Sequence, residues 1–343
     1  MASAKISGDV TILDVAREAG VSFATVSRVV NNKGYIKAET RERVVRAITR
    51  LGYVVNQQAR SLAGGRSMVV GLVTHNLHAA YFGEIIQGID NELASAAYDL
   101  MLYTTHRRKV RESTYVATLT QGLADGLLLI LPRHPEAYLA TLRRSRFPYV
   151  LIDHQGIDEA GPAVGVTNRQ GAYDMTRYLI ELGHQRIGFI TGTLDVKCAA
   201  DRLAGYYDAL AEHGLSSDPA LVQEGDFLQP QAYTCARKLL ALPQPPTAIF
   251  ASNDLSAFGV MEAVRDCGLR IPADISIAGF DDIPQASQIH PPLTTVRQPL
   301  QEMGRRATLL LLEQIEQPEH PAACITLPTN LVVRQSCQAP ATV

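Results

Sequence analysis

The sequence predicts an α/β protein in which a small all-α domain precedes a core of two doubly wound lobes. Three observations predict this fold class. Residues 1–55 carry apolar side chains at helical spacing, the chain from Met68 onward alternates short apolar strands with helices, and these strands are too many for one compact sheet. With 343 residues, the chain is long enough for two or three domains with buried cores.

Charge is distributed unevenly along the chain, although the net charge is only −2. Residues 1–65 contain ten Lys and Arg against five Asp and Glu, which makes this part +5 and the remainder −7. A basic head on an acidic body is typical of a module that binds a polyanion, joined to a body that does not.

Composition and motifs disfavour several classes of protein. No apolar stretch has the length of a signal peptide or a membrane span, so we expect a cytoplasmic protein. The five cysteines are scattered without a Cys-x-x-Cys pair, which indicates reduced thiols rather than a disulfide framework or a zinc site. The nine histidines show no metal spacing, and the glycine-rich nucleotide loops and the Gly-x-Ser-x-Gly elbow are absent. We therefore expect no catalytic residue, cofactor or metal.

Two short helical patterns joined by a tight turn begin at Thr11. Thr11 is placed to cap the first helix with Asp14 at its third position, and Gly20 ends that helix in the left-handed region. Ser22 then caps a second helix whose valines are spaced to form a buried face. Helix, glycine turn, helix is the helix-turn-helix, whose second helix enters the major groove of DNA.

A third helix is predicted at Ala38–Leu51, and Gly52 ends it. It closes the small core of a three-helix domain. Residues 56–63 follow as a polar stretch, which is too short to hold a helix alone in water.

Residues 14–31 read Asp-Val-Ala-x-x-Ala-Gly-Val-Ser-x-x-Thr-Val-Ser-Arg-Val-Val-Asn, which resembles the DNA-binding headpiece of the LacI/GalR family of bacterial transcription regulators. The resemblance continues through almost the whole chain. It implies a headpiece at 1–55, a hinge helix at 56–65 that forms only when two subunits pair on DNA, and an effector-binding and dimerisation core at 66–343. Leu62 matches the leucine wedge that this family inserts in the minor groove.

The DNA-binding residues are predicted from this motif and this resemblance. We expect Phe23, Ala24 and Arg28 to face bases, with Thr25 and Ser27 nearer the phosphates. The full predicted set is Thr11, Ser22, Phe23, Ala24, Thr25, Ser27, Arg28, Asn31, Tyr35, Tyr53, Asn56, Ala59 and Leu62.

The core pattern resembles the periplasmic-binding-protein type I fold. The predicted strands are 68–74, 100–104, 126–131, 149–153, 163–166, 186–191, 222–225, 247–252 and 275–280. The predicted helices are 82–96, 111–121, 135–144, 169–182, 199–213, 231–241 and 255–267. The resemblance implies three crossings between lobes, near 165–167, 291–296 and 327–329. Lobe 1 is then about 66–165 plus 296–327, and lobe 2 about 166–292 plus 328–343.

Polar and aromatic side chains follow the strands of both lobes. Ligands of open parallel sheets bind at the carboxyl ends of the strands, so these side chains should line a cleft between the lobes. Aromatic rings that pack against C–H faces, with Asp, Asn and Arg that bond hydroxyls, suit a neutral polyhydroxyl ligand. The predicted effector contacts are Tyr81, Phe82, Asp153, Arg202, Phe227, Asn253 and Asp281. The resemblance to the family supports four of them, Phe82, Arg202, Asn253 and Asp281, which coincide with its effector-contact positions.

The ligand class has an alternative. Tyr81-Phe82 and Gly225-Asp226-Phe227 resemble the purine-responsive branch of the family, whose aromatic side chains sandwich a base. However, the loop 195–198 lacks the Arg and Thr that this branch uses on the purine, which favours a sugar. Thr167 stands where many relatives have Asp, which leaves one hydrogen bond of the cleft open.

The combined pattern predicts a homodimeric repressor of a carbohydrate-utilisation operon, released from a pseudo-palindromic operator by a small sugar. The partner surface is expected on lobe 1, on the helix after Phe82 and the helix 111–121. The alternatives are a purine-type regulator in which ligand promotes DNA binding, a solute-binding protein for transport, and an enzyme on a doubly wound fold. The basic helix-turn-helix head opposes the transport protein, and the absent cofactor motifs oppose the enzyme.

Overall fold

The computed structural model describes residues 10–30, 34–53, 66–77, 79–106, 108–133, 135–154, 161–319 and 323–341. The predicted hinge at 56–65 lies outside these residues. The same holds for four predicted DNA contacts, Asn31, Asn56, Ala59 and Leu62. The chain divides into two compact units, Met1–Ser67 and Met68–Val343.

The first unit contains three helices around a small apolar core. They are α1 (Ile12–Ala19), α2 (Phe23–Val30) and α3 (Ala38–Leu51). Val15, Val26 and Val44, one from each helix, are fully buried against one another in a single cluster. α1 ends at Gly20 with φ 62°, a left-handed conformation that glycine adopts without steric cost. This chain reversal brings α2 back against α1, as the helix-turn-helix pattern predicts.

The second unit contains two lobes, each built on a six-stranded sheet. Its strands are β1 (Val69–Thr74), β2 (Asp99–Thr104), β3 (Gly126–Ile130), β4 (Tyr149–Ile152), β5 (Ala163–Val166), β6 (Ile187–Ile190), β7 (Val222–Gln223), β8 (Ala248–Ala251), β9 (Ser276–Asp281), β10 (Thr294–Arg297), β11 (Cys324–Leu327) and β12 (Asn330–Val332). Its helices are α4 (Ala80–Ser95), α5 (Lys109–Thr120), α6 (Glu136–Ser145), α7 (Asn168–Glu181), α8 (Lys197–Glu212), α9 (Gln229–Leu240), α10 (Asp254–Asp266), α11 (Pro284–Gln288) and α12 (Leu300–Glu316).

The sheet topology is that of two parallel, doubly wound lobes, which confirms the predicted fold class. The strand order in lobe 1 is β11-β5-β4-β3-β1-β2, and in lobe 2 it is β12-β10-β9-β8-β6-β7. All neighbours run parallel except β10 and β12, which are antiparallel. The central strands are buried along their whole length, because helices cover both faces of each sheet.

The second crossing between the lobes lies later in the chain than predicted. We expected it near 291–296, but β10 pairs in parallel with β9 and therefore belongs to the sheet of lobe 2. Val296 is fully buried in the lobe 2 core, which holds this segment in place. The chain returns to lobe 1 after Arg297, and α12 then packs Met303 and Leu311 into the lobe 1 core.

Close helix packing in both lobes depends on glycine. A Cβ on Gly304 of α12 would lie 2.1 Å from the Ile85 carbonyl oxygen of α4. In lobe 2, a Cβ on Gly259 of α10 would lie 2.2 Å from the Gln229 carbonyl oxygen of α9. Both distances are far below van der Waals contact with the facing backbone, so these helix pairs can pack this closely only with glycine at these two positions.

Within the described ranges, no helix is long and apolar enough to cross a membrane.

Candidate functional site

The outward surface of α2 carries the predicted base-reading residues. Val26 and Val29 face the core, whereas Ala24 and Arg28 are exposed and the Phe23 side chain is 51% exposed. Ser22 caps the helix, because its Oγ accepts the Thr25 backbone N–H at 3.2 Å. Thr25 and Ser27 are half-buried, so the helix presents an apolar ring and a guanidinium on its solvent face.

Other predicted DNA contacts of this unit lie at its surface. Tyr35 is exposed and Tyr53 is half-buried. Thr11 is exposed, and its backbone N–H donates to Asp14 Oδ2 at 3.0 Å. Its hydroxyl donates to the same oxygen at 2.7 Å, so Thr11 fixes the start of α1.

A cavity of about 70 Å³ lies between the two lobes, at the carboxyl ends of their strands. All seven predicted effector residues line it, and they come from both lobes. Their position at the ends of strands in the sequence therefore corresponds to one shared cavity in the structure. The lining consists of His75, Asn76, Ala79, Tyr81, Phe82, Leu131, Arg133, Asp153, Val196, Cys198, Arg202, Phe227, Leu228, Asn253 and Asp281.

Arg202 of α8 is the central cation of the lobe 2 wall, and its side chain is only 2% exposed. Its Nε donates to Asn168 Oδ1 at 2.8 Å, and its Nη1 donates to the Ser252 carbonyl at 2.6 Å. The guanidinium also lies 3.8 Å from the centre of the Phe280 ring, a cation–π contact that fixes its plane. These contacts hold Arg202 in one position before any ligand arrives.

A hydrogen-bonded chain connects Arg202 to lobe 1. Asn168 Nδ2 donates to Asp153 Oδ1 at 3.2 Å, and the Tyr81 hydroxyl donates to Asp153 Oδ2 at 2.8 Å. Both carboxylate oxygens of Asp153 are thus occupied by the protein itself. Burial raises the pKa of Asp153 above its ordinary value, and the nearby Arg202 charge opposes the rise. The chain ties the walls of the cleft to each other.

Asp281, at the end of β9, lies opposite Arg202. The Gln298 amide donates to Asp281 Oδ1 at 2.6 Å, and Arg202 Nη1 lies 3.5 Å from the same oxygen. Burial raises the pKa of Asp281 to about 7, with Arg202 and Gln298 limiting the rise. Both described contacts use Oδ1, so Oδ2 is the oxygen placed to accept a ligand hydroxyl.

Replacement of Asp281 should change how the stability of the protein depends on pH. With a folded pKa of about 7 and an ordinary value of 3.8, the folded state holds a proton between pH 4 and 7 that the unfolded state has lost. This contribution to stability is complete below pH 4 and is lost as the pH rises to 7. From pH 5 to 7, urea unfolding of the wild type should therefore lose about 1–3 kcal/mol relative to Asp281→Asn. Parallel pH profiles of the two proteins would contradict the shifted pKa.

Four residues that line the cavity adopt positive φ without being glycine. They are Leu131 at φ 48°, Asp153 at φ 55°, Phe227 at φ 67° and Asp281 at φ 116°. Such conformations cost about 1–3 kcal/mol each and persist where the surrounding structure enforces them. Each lies at the end of a strand, just after one or just before a helix, where the backbone turns beside the cavity.

Asn253 and Phe227 support each other. Asn253 Oδ1 accepts the Ser256 backbone N–H at 2.9 Å and so caps α10, while its Nδ2 donates to the Phe227 carbonyl at 3.2 Å. The Phe227 ring lies directly on Gly192, where a Cβ would fall 1.9 Å from the ring. The predicted contact Asn253 is thus engaged by its own lobe, although it lines the cavity.

The predicted effector contacts omitted polar residues of the site: His75, Asn76 and Arg133 line the cavity, and Gln298 bonds Asp281. Arg133, three residues after β3, lines the cavity from lobe 1, and the strand-end argument applied to β3 would have found it. Gln298 follows β10, which was not predicted as a strand, so no signal pointed to it. Thr167 bonds the Thr329 hydroxyl at 2.9 Å, between the first and third crossings, rather than a group lining the cavity. Among the residues described, no cluster of His, Cys, Asp and Glu is arranged to hold a metal.

Comparison with known proteins identifies both units of the chain. Residues 11–56 match the family described as bacterial regulatory proteins, lacI family, and residues 176–337 match a periplasmic binding protein-like domain. The chain is 35% identical over 330 residues to the HTH-type transcriptional repressor PurR of Pasteurella multocida (strain Pm70), covering 96% of this chain and 99% of that protein.

Solved structures agree with the sequence match. The chain resembles the lac repressor dimer bound to operator and the anti-inducer ONPF with a TM-score of 0.84 and 29% identity, over 97% of this chain and all of that one. It resembles the transcriptional regulator CelR in complex with cellobiose with a TM-score of 0.73 and 32% identity, over 95% of this chain and 99% of that one. The chain therefore belongs to the lacI family of bacterial regulatory proteins, DNA-binding transcriptional regulators with a helix-turn-helix unit and a periplasmic-binding-protein-like core.

Proposed function

We propose that this protein is a homodimeric repressor that binds a pseudo-palindromic operator and is released by a sugar in the cleft between its lobes. The observation that carries the sugar assignment is the set of groups at the cavity. Arg202 and Asp281 supply a buried donor and acceptor for hydroxyls, and Phe82 and Phe227 supply flat apolar faces. Polyhydroxyl ligands are recognised by charged hydrogen bonds to their neighbouring hydroxyls together with packing of aromatic rings against their C–H faces.

DNA binding is proposed for the headpiece at 1–55 with the hinge at 56–65. Phe23, Ala24 and Arg28 would contact bases, and Leu62 would enter the minor groove. Two headpieces need a two-fold axis to read a pseudo-palindrome, which supports a dimer, and the similar lac repressor was solved as a dimer bound to operator. The partner surface is proposed on lobe 1, on α4 and α5. Leu102, an exposed apolar side chain on the edge strand β2, supports that choice.

A change in lobe geometry would couple the cleft to the operator. We infer that the hinge at 56–65, being too short to hold a helix alone in water, would fold only with the partner hinge and with DNA. Ligand that shifts one lobe against the other would change the spacing of the two hinges. Because coupling is reciprocal, ligand would weaken operator binding by the factor by which operator weakens ligand binding, typically 5–150-fold.

A purine effector that promotes DNA binding is the second candidate. It is favoured by the 35% identity to a repressor named PurR and by the aromatic residues Tyr81, Phe82 and Phe227. Against it, Val196 and Cys198, at the start of α8, occupy the cavity wall where the purine-responsive branch supplies Arg and Thr. An apolar side chain and a buried thiol give a purine edge little to bond to.

A ligand screen combined with a DNA-binding assay tests the proposal. Mono- and disaccharides, hypoxanthine and guanine are added to the full-length protein, and its melting temperature and its binding to fragments of the source genome are followed. We expect a sugar to raise the melting temperature and to weaken binding to the selected fragment, since a ligand of the folded state stabilises it. Stabilisation by a purine together with tighter DNA binding would establish the second candidate instead.

A further inference from the structure

Arg133 places a second guanidinium at the cavity, on the wall opposite Arg202. It follows β3 in lobe 1, whereas Arg202 belongs to α8 in lobe 2. The side chain of Arg133 is 16% exposed, so most of it is removed from water. A buried cation of this kind requires partners, because an uncompensated charge in low dielectric is costly.

The backbone and the tip of Arg133 are held from different directions. Its backbone N–H lies 3.3 Å from each carboxylate oxygen of the buried Glu112 on α5. Its Nη2 donates across the cleft to Thr193 Oγ1 at 3.0 Å. The residue is therefore positioned by both lobes without any ligand.

Among the described residues, the ion-pair partner of the Arg133 guanidinium is Asp195. Asp195 Oδ2 is 3.7 Å from Nη1, beyond hydrogen-bond distance, and the Asp195 side chain is 41% exposed, so water screens the pair. Arg133 Nε is buried and has no hydrogen-bond partner within the described part of the chain. Leaving such a donor unpaired costs free energy, which a ligand acceptor would recover.

The other charged groups of the lining are already engaged. Arg202 pairs with Asp281, and both oxygens of Asp153 accept donors from Tyr81 and Asn168. His75 bonds the Leu131 carbonyl and lies 3.3 Å from Thr105 Oγ1. Of the two arginines at the cavity, Arg133 is thus the one that keeps a buried guanidinium N–H without a partner among the described residues.

We propose that Arg133 is a specificity-determining residue of the cleft and binds an anionic group, so that the effector is an acidic sugar carrying a carboxylate or a phosphate. This inference rests on the sugar-responsive function proposed above. The planar guanidinium fork matches the oxygens of either group in a bidentate pair, and pairing would also satisfy Nε. A hydroxyl of a neutral sugar can accept from Nε, but it carries no charge to pair with the guanidinium.

Titration calorimetry on the full-length protein tests the proposal with matched probes. Glucose, glucuronate and glucose 6-phosphate, with the corresponding galactose and mannose series, are titrated into wild type, Arg133→Gln and Thr193→Val. We expect at least one acidic probe to bind wild type tenfold or more tightly than its neutral parent. Arg133→Gln should lose that preference, whereas Thr193→Val, which removes the contact across the cleft but leaves the charge, should retain it. Within each series, tighter binding of the uronate indicates recognition of a carboxylate, and tighter binding of the 6-phosphate indicates recognition of a phosphate.

Several results would overturn the inference. If no acidic probe binds more tightly than its parent, or the preference survives in Arg133→Gln, the anion assignment is wrong. Loss of the preference in Thr193→Val to the same extent would show that Arg133 only connects the lobes. Binding of neutral sugars alone would overturn this inference and leave the proposed function intact, whereas binding of purines alone would overturn both. Unfolding curves of each variant verify that it is folded.

Discussion

Replacement of Arg202 by alanine should destabilise the core unit by about 3–5 kcal/mol and abolish effector binding. The substitution removes a fully buried guanidinium, so Asp281 loses its ion pair with Arg202 and the Ser252 carbonyl loses the hydrogen bond that Arg202 donates. It also breaks the link through Asn168 to Asp153, so the wall of lobe 2 loses its connection to lobe 1. Urea unfolding measures the first effect, and calorimetry with the effector found by the ligand screen measures the second.

Arg177→Ala is the matched control for this experiment. Arg177 lies on α7 of the same lobe, is 45% exposed, and pairs only loosely with its helix neighbours Asp174 and Glu181. Surface pairs of this kind contribute about 0–1 kcal/mol. If Arg202→Ala fails to fold, Arg202→Lys retains the charge while removing the fork, and should still lose ligand affinity. Wild-type ligand affinity in a folded Arg202 variant would exclude Arg202 from the site.

Arg28→Ala should reduce the preference for operator over random DNA by about 1–3 kcal/mol, the usual worth of a bidentate contact to a base. Arg28 is exposed on α2, and Val26 and Val29 anchor that helix to the core on the opposite face. The substitution should therefore leave the fold of the headpiece intact. Competition binding with operator and random duplexes at one fixed salt concentration gives the specificity ratio.

Arg17→Ala provides the comparison for charge alone. Arg17 is 81% exposed on α1 and pairs with Asp14, so its removal subtracts the same charge from outside α2. This variant should weaken binding to both duplexes about equally, because phosphate contacts carry no sequence information. An unchanged specificity ratio in Arg28→Ala would remove Arg28 from the set of base-reading residues.

Most strands were predictable from the sequence, including the edge strands β2 and β7, but β10, β11 and β12 were not. β5 was predicted with its observed bounds, because a strand covered on both faces is a continuous apolar run. β11 alternates between exposed and half-buried residues, whereas β12 is one exposed residue followed by two half-buried ones, and both strands are too short to separate from a loop. β10 begins with Thr294 and Thr295, whose burial depends on bonds to Ser336 and Asp254 that are distant in sequence.

The helix α12 was also not predicted, although Met303, Ala307, Leu310 and Leu311 are spaced along one helical face. The sequence prediction assigned residues 296–327 to lobe 1 without secondary structure, and so missed the helix that covers this lobe.

The sequence indicated the side chains that line the cavity more completely than the strands and helices that surround it. Tyr81, Asp153 and Asp281 were predicted because they come after apolar strands, and all three line the cavity. Position at the end of a strand does not show whether a side chain is free to contact a ligand or is bonded to nearby backbone. Asn253 is an example, since its cap on α10 depends on local geometry that strand-end position does not specify.

Lobe 1 is assembled from two stretches of chain that are far apart in sequence, and this affects how the protein is made. Gln301 on α12 donates to Glu84 on α4 across 217 residues, and β11 completes the sheet beside β5. When the ribosome has delivered β5, lobe 1 still lacks its last strand and the helix that covers α4. All of β6 to β10 must be synthesised before these parts appear. The entropic cost of closing a loop rises only slowly with its length, so the long insertion has little effect on the final stability of lobe 1. Its main effect is on how long lobe 1 stays incomplete. Throughout that interval the uncovered apolar face of α4 is exposed in the cell, where it is a target for chaperones and a site of aggregation.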